Sequence, residues 1–145
     1  MKKIIITVIT GLVFVSAGYA QSQDLTELFN IYAQEEGFSY IYMGKGYSEL
    51  KRSVSDDFAK DFSSVKFVKI LSSEKPKDIR VKDVISTLKA YLAGEEFELI
   101  FKMVEKNKEK IEIYLKRSNK KDLEKIIIME TTKDVRITWI YGEGK

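Results

Sequence analysis

Four stretches in the second half of the chain read as strands, Phe97 to Val104, Ile111 to Lys116, Leu123 to Glu130 and Val135 to Tyr141, and in all but the third apolar residues recur with a period of two. Successive side chains of an extended strand point to opposite faces, so this period predicts strands. The polar turns between them fall at Lys106-Asn107, Ser118-Asn119 and Thr132-Lys133. Connections this short join antiparallel neighbours, because a parallel return needs a crossover of a dozen or more residues. The second half is therefore expected to form a four-strand meander. The alternation also predicts the buried set. Phe97, Leu99, Phe101 and Met103 share one face, as do Ile111, Ile113 and Leu115, and Val135, Ile137, Trp139 and Tyr141. Each set is expected to meet helix faces.

The first half supplies those helices. Leu25, Leu28, Phe29 and Tyr32 recur at helical spacing behind Asp24, which can cap a helix with Glu27 three residues on. Gly37 can take the left-handed stop conformation. Phe38 to Met43 reads as a strand broken by Gly44 and Gly46, residues 47–60 as a helix, and Val65 to Leu71 as a second strand. Ser72 to Asp78, carrying the sole proline Pro76, reads as a loop. Val81, Val84, Ile85, Leu88 and Leu92 mark a helix over Val81 to Ala93, expected to end at Gly94. The fold class is α+β: a mixed or mainly antiparallel sheet of about five to six strands, with two to three helices on one face.

Residues 1–20 have the three parts of a secretory signal: Lys2 and Lys3, an uncharged apolar run over Ile4 to Val15, and a small-residue end with Gly18 and Ala20. Cleavage is expected after Ala20, making Gln21 the new N-terminus and residues 21–145 a single globular domain. The competing reading, a retained membrane anchor, wants about 20 apolar residues, more than this run supplies. A lipid anchor needs a cysteine at the cut, and the chain has none. No later stretch is long and apolar enough to span a membrane as a helix. The expected location is the periplasm or the extracellular space.

Cysteine and histidine are both absent. That excludes a Ser-His-Asp triad, a Cys-His pair and zinc held by His or Cys. No cofactor, metal site or catalytic residue is predicted. Residues 21–101 carry 11 basic and 14 acidic residues, net −3, whereas residues 102–125 carry 9 basic and 5 acidic, net +4. The positive stretch reads as a lysine-guarded sheet edge or as a binding patch. The charge is too weak for a nucleic-acid partner.

Two groups of residues are candidate binding surfaces. Tyr40, Tyr42 and Tyr47 gather around the Gly44-Lys45-Gly46 turn, where aromatic rings can stack on a glycan or grip a partner chain; the alternative is that they are core. Lys106, Lys108, Lys120 and Lys121 stud the turns of the lysine-rich hairpin region. Gly44-Lys45-Gly46 lacks the spacing of a phosphate loop. The acidic doublets Glu35-Glu36, Asp56-Asp57 and Glu95-Glu96 read as solvated surface, with a carboxylate pair as the alternative.

Several of these features together resemble one family. They are the opening helix with Leu28, Phe29 and Tyr32, then Glu36-Gly37-Phe38-Ser39-Tyr40-Ile41 and Gly44-Lys45, the strand Val68-Lys69-Ile70-Leu71, and the closing Ile137-Thr138-Trp139-Ile140 with Gly142. In these the chain is similar to the domain-of-unknown-function 4252 family, over nearly all of residues 21–145. The resemblance implies an exported α+β protein, of a kind found largely in Bacteroidota, with no catalytic residues to carry over. Some relatives carry a lipid-anchor cysteine that this chain lacks. The expected function is that of a non-enzymatic exported binding or envelope-accessory protein, whose partner is an envelope protein or a glycan. The alternatives are a carboxylate-based hydrolase and a structural or inhibitory module that caps another envelope protein by strand addition at an exposed edge.

Overall fold

A computed structural model describes residues 25–45, 60–106, 109–118 and 121–145. The elements run α1 (Leu25–Ala33), β1 (Phe38–Gly44), β2 (Phe62–Ser73), α2 (Ile79–Gly94), β3 (Glu98–Val104), β4 (Lys110–Arg117), β5 (Asp122–Glu130) and β6 (Val135–Gly144). The six strands form one sheet in the order β1-β2-β6-β5-β4-β3, and every neighbouring pair is antiparallel. The meander over β3 to β6 is as the period predicts. β2 is longer than its alternating stretch at both ends. The helix read over residues 47–60 lies outside the described residues except at Lys60.

Both described helices sit on one face of the sheet. Leu25, Leu28 and Phe29 of α1 and Val84, Leu88 and Leu92 of α2 close over Leu71, Ile126, Ile128, Ile137 and Trp139. Each large apolar side chain removed from water there contributes about 1.5–3 kcal/mol. The opposite face carries a second cluster of Met43, Phe62, Val68, Leu123, Ile127 and Ile140. In β5 the consecutive residues Ile126, Ile127 and Ile128 are all buried, so this strand is covered on both faces.

The strand register corrects two of the predicted faces. Ile113 lies opposite Ile127, and Ile111 opposite Met129, so Ile111, Ile113 and Leu115 belong to the face away from the helices. The side chains of β4 that face the helices are Glu112, Tyr114 and Lys116. In β3 a register shift between Leu99 and Phe101 inserts Ile100 as an extra residue. Leu99 is opposite Tyr114 and Phe101 is opposite Ile113, so Leu99 lies on the helix side while Phe101 and Met103 lie on the other. Period-two counting assumes an unbroken ladder, and one bulge reverses every assignment beyond it.

The ends of α2 show local chemistry at work. The Arg80 backbone N–H donates to Asp78 Oδ1 at 2.8 Å, so Asp78 caps the start. The stop is not at Gly94, which is the last helical residue. Phe97 N–H donates to the Leu92 carbonyl at 3.3 Å, and the left-handed residue is Glu96, with φ +62°. This is the six-to-one bond of a Schellman ending, with the Phe97 and Tyr91 rings 6.5 Å apart.

One buried carboxylate joins α2 to the sheet. Glu112 lies 3.2 Å from Lys89 Nζ and 3.8 Å from Lys102 Nζ, and accepts a hydrogen bond from the Tyr114 hydroxyl at 3.2 Å. Burial pushes the Glu112 carboxyl up, but the hydrogen bond and charge of Lys89 outweigh it and hold the group below its ordinary range. The Tyr114 hydroxyl is pushed up to about 12, first by burial and then by the negative Glu112 beside it.

Candidate functional site

Phe38, Tyr40 and Tyr42 share one side of β1, and that side faces the helices. Tyr40 is half-buried, edge-on to Phe29 at 6.3 Å between ring centroids. Burial raises its hydroxyl above the usual tyrosine range, and Tyr42 adds to the shift. Tyr42, two residues on, extends past the helices and is 56 % exposed. Of the two, only Tyr42 offers a ring to a partner. Tyr47 lies outside the described residues, as do Lys108, Lys120, Ala20 and Gln21.

Tyr42 belongs to a larger aromatic array that strand pairing assembles. Lys69 of β2 stands opposite both Tyr42 and Trp139, and Phe67 stands opposite Gly44 and Tyr141. Phe67 lies 6.2 Å from Tyr42, 4.9 Å from Trp139 and 5.3 Å from Tyr141 between centroids. The Lys69 ammonium is held 4.7 Å from the Trp139 ring, 4.9 Å from Phe67 and 5.8 Å from Tyr42. Desolvated cation–π contacts of this kind are attractive by about 2 kcal/mol or more. Two carboxylates flank the array. Glu124 accepts from Trp139 Nε1 at 3.1 Å, and Asp122 accepts from the Tyr141 hydroxyl at 2.9 Å, with Lys66 Nζ 3.5 Å away. The bond to Asp122 raises the Tyr141 hydroxyl above its ordinary range. Sequence reading missed Phe67, Lys69, Trp139 and Tyr141 because they come from strands far apart in the chain. Their signal was the odd-numbered apolar set of β2 and β6, which needs the register before it becomes a cluster.

The lysine-rich region divides. Lys106 follows the end of β3, whereas Lys121 directly precedes β5, and the whole of β4 separates the two turns. An eight-residue strand spans roughly 25 Å. Four further lysines of the stretch lie near carboxylates: Lys102 near Glu112, Lys110 4.0 Å from Glu130, Lys116 3.6 Å from Glu95, and Lys125 2.7 Å from Asp61. Of the acidic doublets, Glu35 lies 3.6 Å from Arg80, and Asp56-Asp57 lies outside the described residues. Among the described residues no three acidic groups gather in a way that could hold a metal ion.

The edge strand β3 offers a second surface. Among the described residues it pairs with β4 alone. Leu99, Ile100, Phe101 and Val104 are between 44 % and 64 % exposed, an unusual density of large apolar side chains for one edge. The ladder also fixes which backbone groups point outward. Glu105 N–H donates to the Glu109 carbonyl at 2.8 Å, which makes that pair the hydrogen-bonded kind. Hydrogen-bonded and open pairs alternate, so the Val104–Lys110 and Lys102–Glu112 pairs are open. The N–H and C=O of Lys102 and Val104 therefore face away from β4.

No helix among the described residues is long and apolar enough to cross a membrane. No curated protein and no solved structure matches this chain. A family model does match, over residues 32–144, a stretch that takes in all six strands and both surfaces described above. The chain belongs to the family described as Domain of unknown function (DUF4252).

Proposed function

We propose that this chain is an exported, non-enzymatic binding protein of the envelope, and that it engages a partner polypeptide by adding one of the partner's extended segments to β3. The observation that carries the reading is a strand that among the described residues forms the sheet edge, with outward-facing backbone groups at Lys102 and Val104 and four exposed apolar side chains around them. Strand addition draws affinity from main-chain hydrogen bonds and selectivity from alternate side chains. Natural sheets usually guard such an edge with charge or proline. Here the only charge inside the strand besides Glu98 is Lys102, which turns toward Glu112. Export is supported by the tripartite leader at residues 1–20; protein recovered from cells should begin at Gln21.

Val104→Pro tests the binding mode. The Val104 N–H makes no bond to β4, so proline removes an outward donor and leaves the ladder intact. The wild-type chain should capture an envelope polypeptide that Val104→Pro does not, and the amides of Lys102 and Val104 should exchange slowly only in the complex. Equal capture by Val104→Pro, or fast exchange of both amides in the complex, would refute strand addition. The exposed ring of Tyr42 favours a second reading, stacking on a glycan. In that case Tyr42→Ala abolishes binding and Val104→Pro leaves it intact.

A further inference from the structure

Beside β3, on the sheet face away from the helices, runs a groove of about 590 Å³. Phe101 and Met103 of β3 and Ile111 and Ile113 of β4 line it, with Ile100 exposed alongside. Volumes of this order hold small-molecule ligands. Among the described residues the polar lining is Lys60, Asp61 and Lys125. Lys125 is only 3 % exposed, and its ammonium lies 2.7 Å from Asp61 Oδ2. Lys60 is exposed.

The charge at these three residues has a sign. The Asp61 carboxyl is held below its usual range, first by the hydrogen bond from Lys125 and then by the positive charges of Lys125, Lys60 and Arg117. Among the described lining residues two cations against one anion leave a net charge of +1 beside an otherwise apolar trough. Strand register sets the trough's length. Lys125 is opposite Leu115, and Ile111 is four residues further along β4 opposite Met103. Four strand residues span about 13 Å. An extended alkyl chain of roughly ten carbons covers the same distance.

We propose that this groove binds a medium-chain carboxylate, with its tail over Phe101, Met103, Ile111 and Ile113 and its head at the Lys60–Lys125 end. A peptide is the poorer occupant. It carries a polar amide at every residue, and the four apolar side chains offer those amides no partner. An alkyl chain has none to satisfy. A cationic amphiphile would meet the net positive end. The site uses side chains on the sheet face, whereas strand addition uses outward backbone groups of β3, so either reading can fail without the other.

The test is a titration of the full chain with decanoate below its micellar concentration, read by calorimetry and by the methyl resonances of Met103, Ile111 and Ile113. Saturable one-to-one binding that shifts those methyls is expected. Decyltrimethylammonium, with the same tail and the opposite charge, should bind at least about tenfold more weakly. Lys60→Glu should weaken decanoate by about fivefold or more without moving the unfolding midpoint, since Lys60 is exposed. Phe101→Asp should abolish the methyl shifts. Absence of saturable binding, equal affinity for the two amphiphiles, unchanged decanoate affinity in Lys60→Glu, or tighter occupation of the groove by an apolar peptide would each overturn the proposal.

Discussion

Gly142 is the position where one added carbon should do most damage. It lies on β6 opposite Val65, between two register shifts in β2, where the strands are drawn close together. A Cβ built there would collide with the Ser64 carbonyl oxygen and come within 2.9 Å of Val65 Cα and 3.1 Å of Ser64 C. All three are backbone atoms, so no side chain can swing aside; the β2–β6 pairing itself must open. Forcing a methylene into a filled site costs about 1–3 kcal/mol. The same change narrows the unfolded ensemble, which returns about 0.4–1 kcal/mol. The net expectation for Gly142→Ala is a loss of about 1–2 kcal/mol. Gly94→Ala is the matched control. It ends α2 with no atom within 4 Å of the added Cβ, and better helix propensity should stabilise the protein by up to about 1 kcal/mol. Urea unfolding of both variants at fixed pH measures the difference, about 1–3 kcal/mol between them. If Gly142→Ala unfolds at the same urea concentration as the wild type, the close approach of β2 to β6 is wrong.

Two further outcomes follow from local geometry. Glu96 holds a left-handed backbone at the end of α2, so Glu96→Gly should raise stability by about 1 kcal/mol in the same urea assay. Tyr114 gives a pH dependence: its hydroxyl is raised from 10.0 to about 12, so the folded state favours the protonated form. That stabilisation is complete below pH 10 and is lost as the pH rises through about 12. Its ceiling is about 2–3 kcal/mol, less in practice because Tyr114 keeps some contact with water. Tyr114→Phe should flatten the decline and remove the latest-titrating component of the phenolate absorbance.

Much of this fold was legible in the chain because period-two alternation survives any uncertainty about topology. Five of the six strands fall on stretches that alternate, β5 being the exception, and short turns forced the antiparallel meander. What alternation cannot supply is the side on which the helices lie. Glu112 and Tyr114 face α2 while Ile111 and Ile113 do not, since a charged residue with its own partners, Lys89 and Tyr114, can occupy an inward position. The Ile126-Ile127-Ile128 run was the sign that both faces of the sheet are apolar. The bulge at Ile100 left no mark in composition, yet it decides that Phe101 and Met103 line the groove. Of the candidate site, Tyr42 was found by its aromatic neighbours in sequence. Its partners in space, Phe67, Lys69 and Trp139, required the pairing of β1 with β2 and of β2 with β6.

The placement of β6 has a bearing on how the molecule is made. It is last of the strands in sequence but third across the sheet, and the residues it matches on β2 come 62 to 82 positions earlier. Before it arrives, the β1–β2 hairpin and the ribbon of β3, β4 and β5 are separate pieces with raw edges. Closing so distant a pairing is slow, and half-built sheets of this kind attract one another. A ribosome still holding the final ten residues thus holds two adhesive fragments, and a bulky fusion after Lys145 would prolong that vulnerable interval.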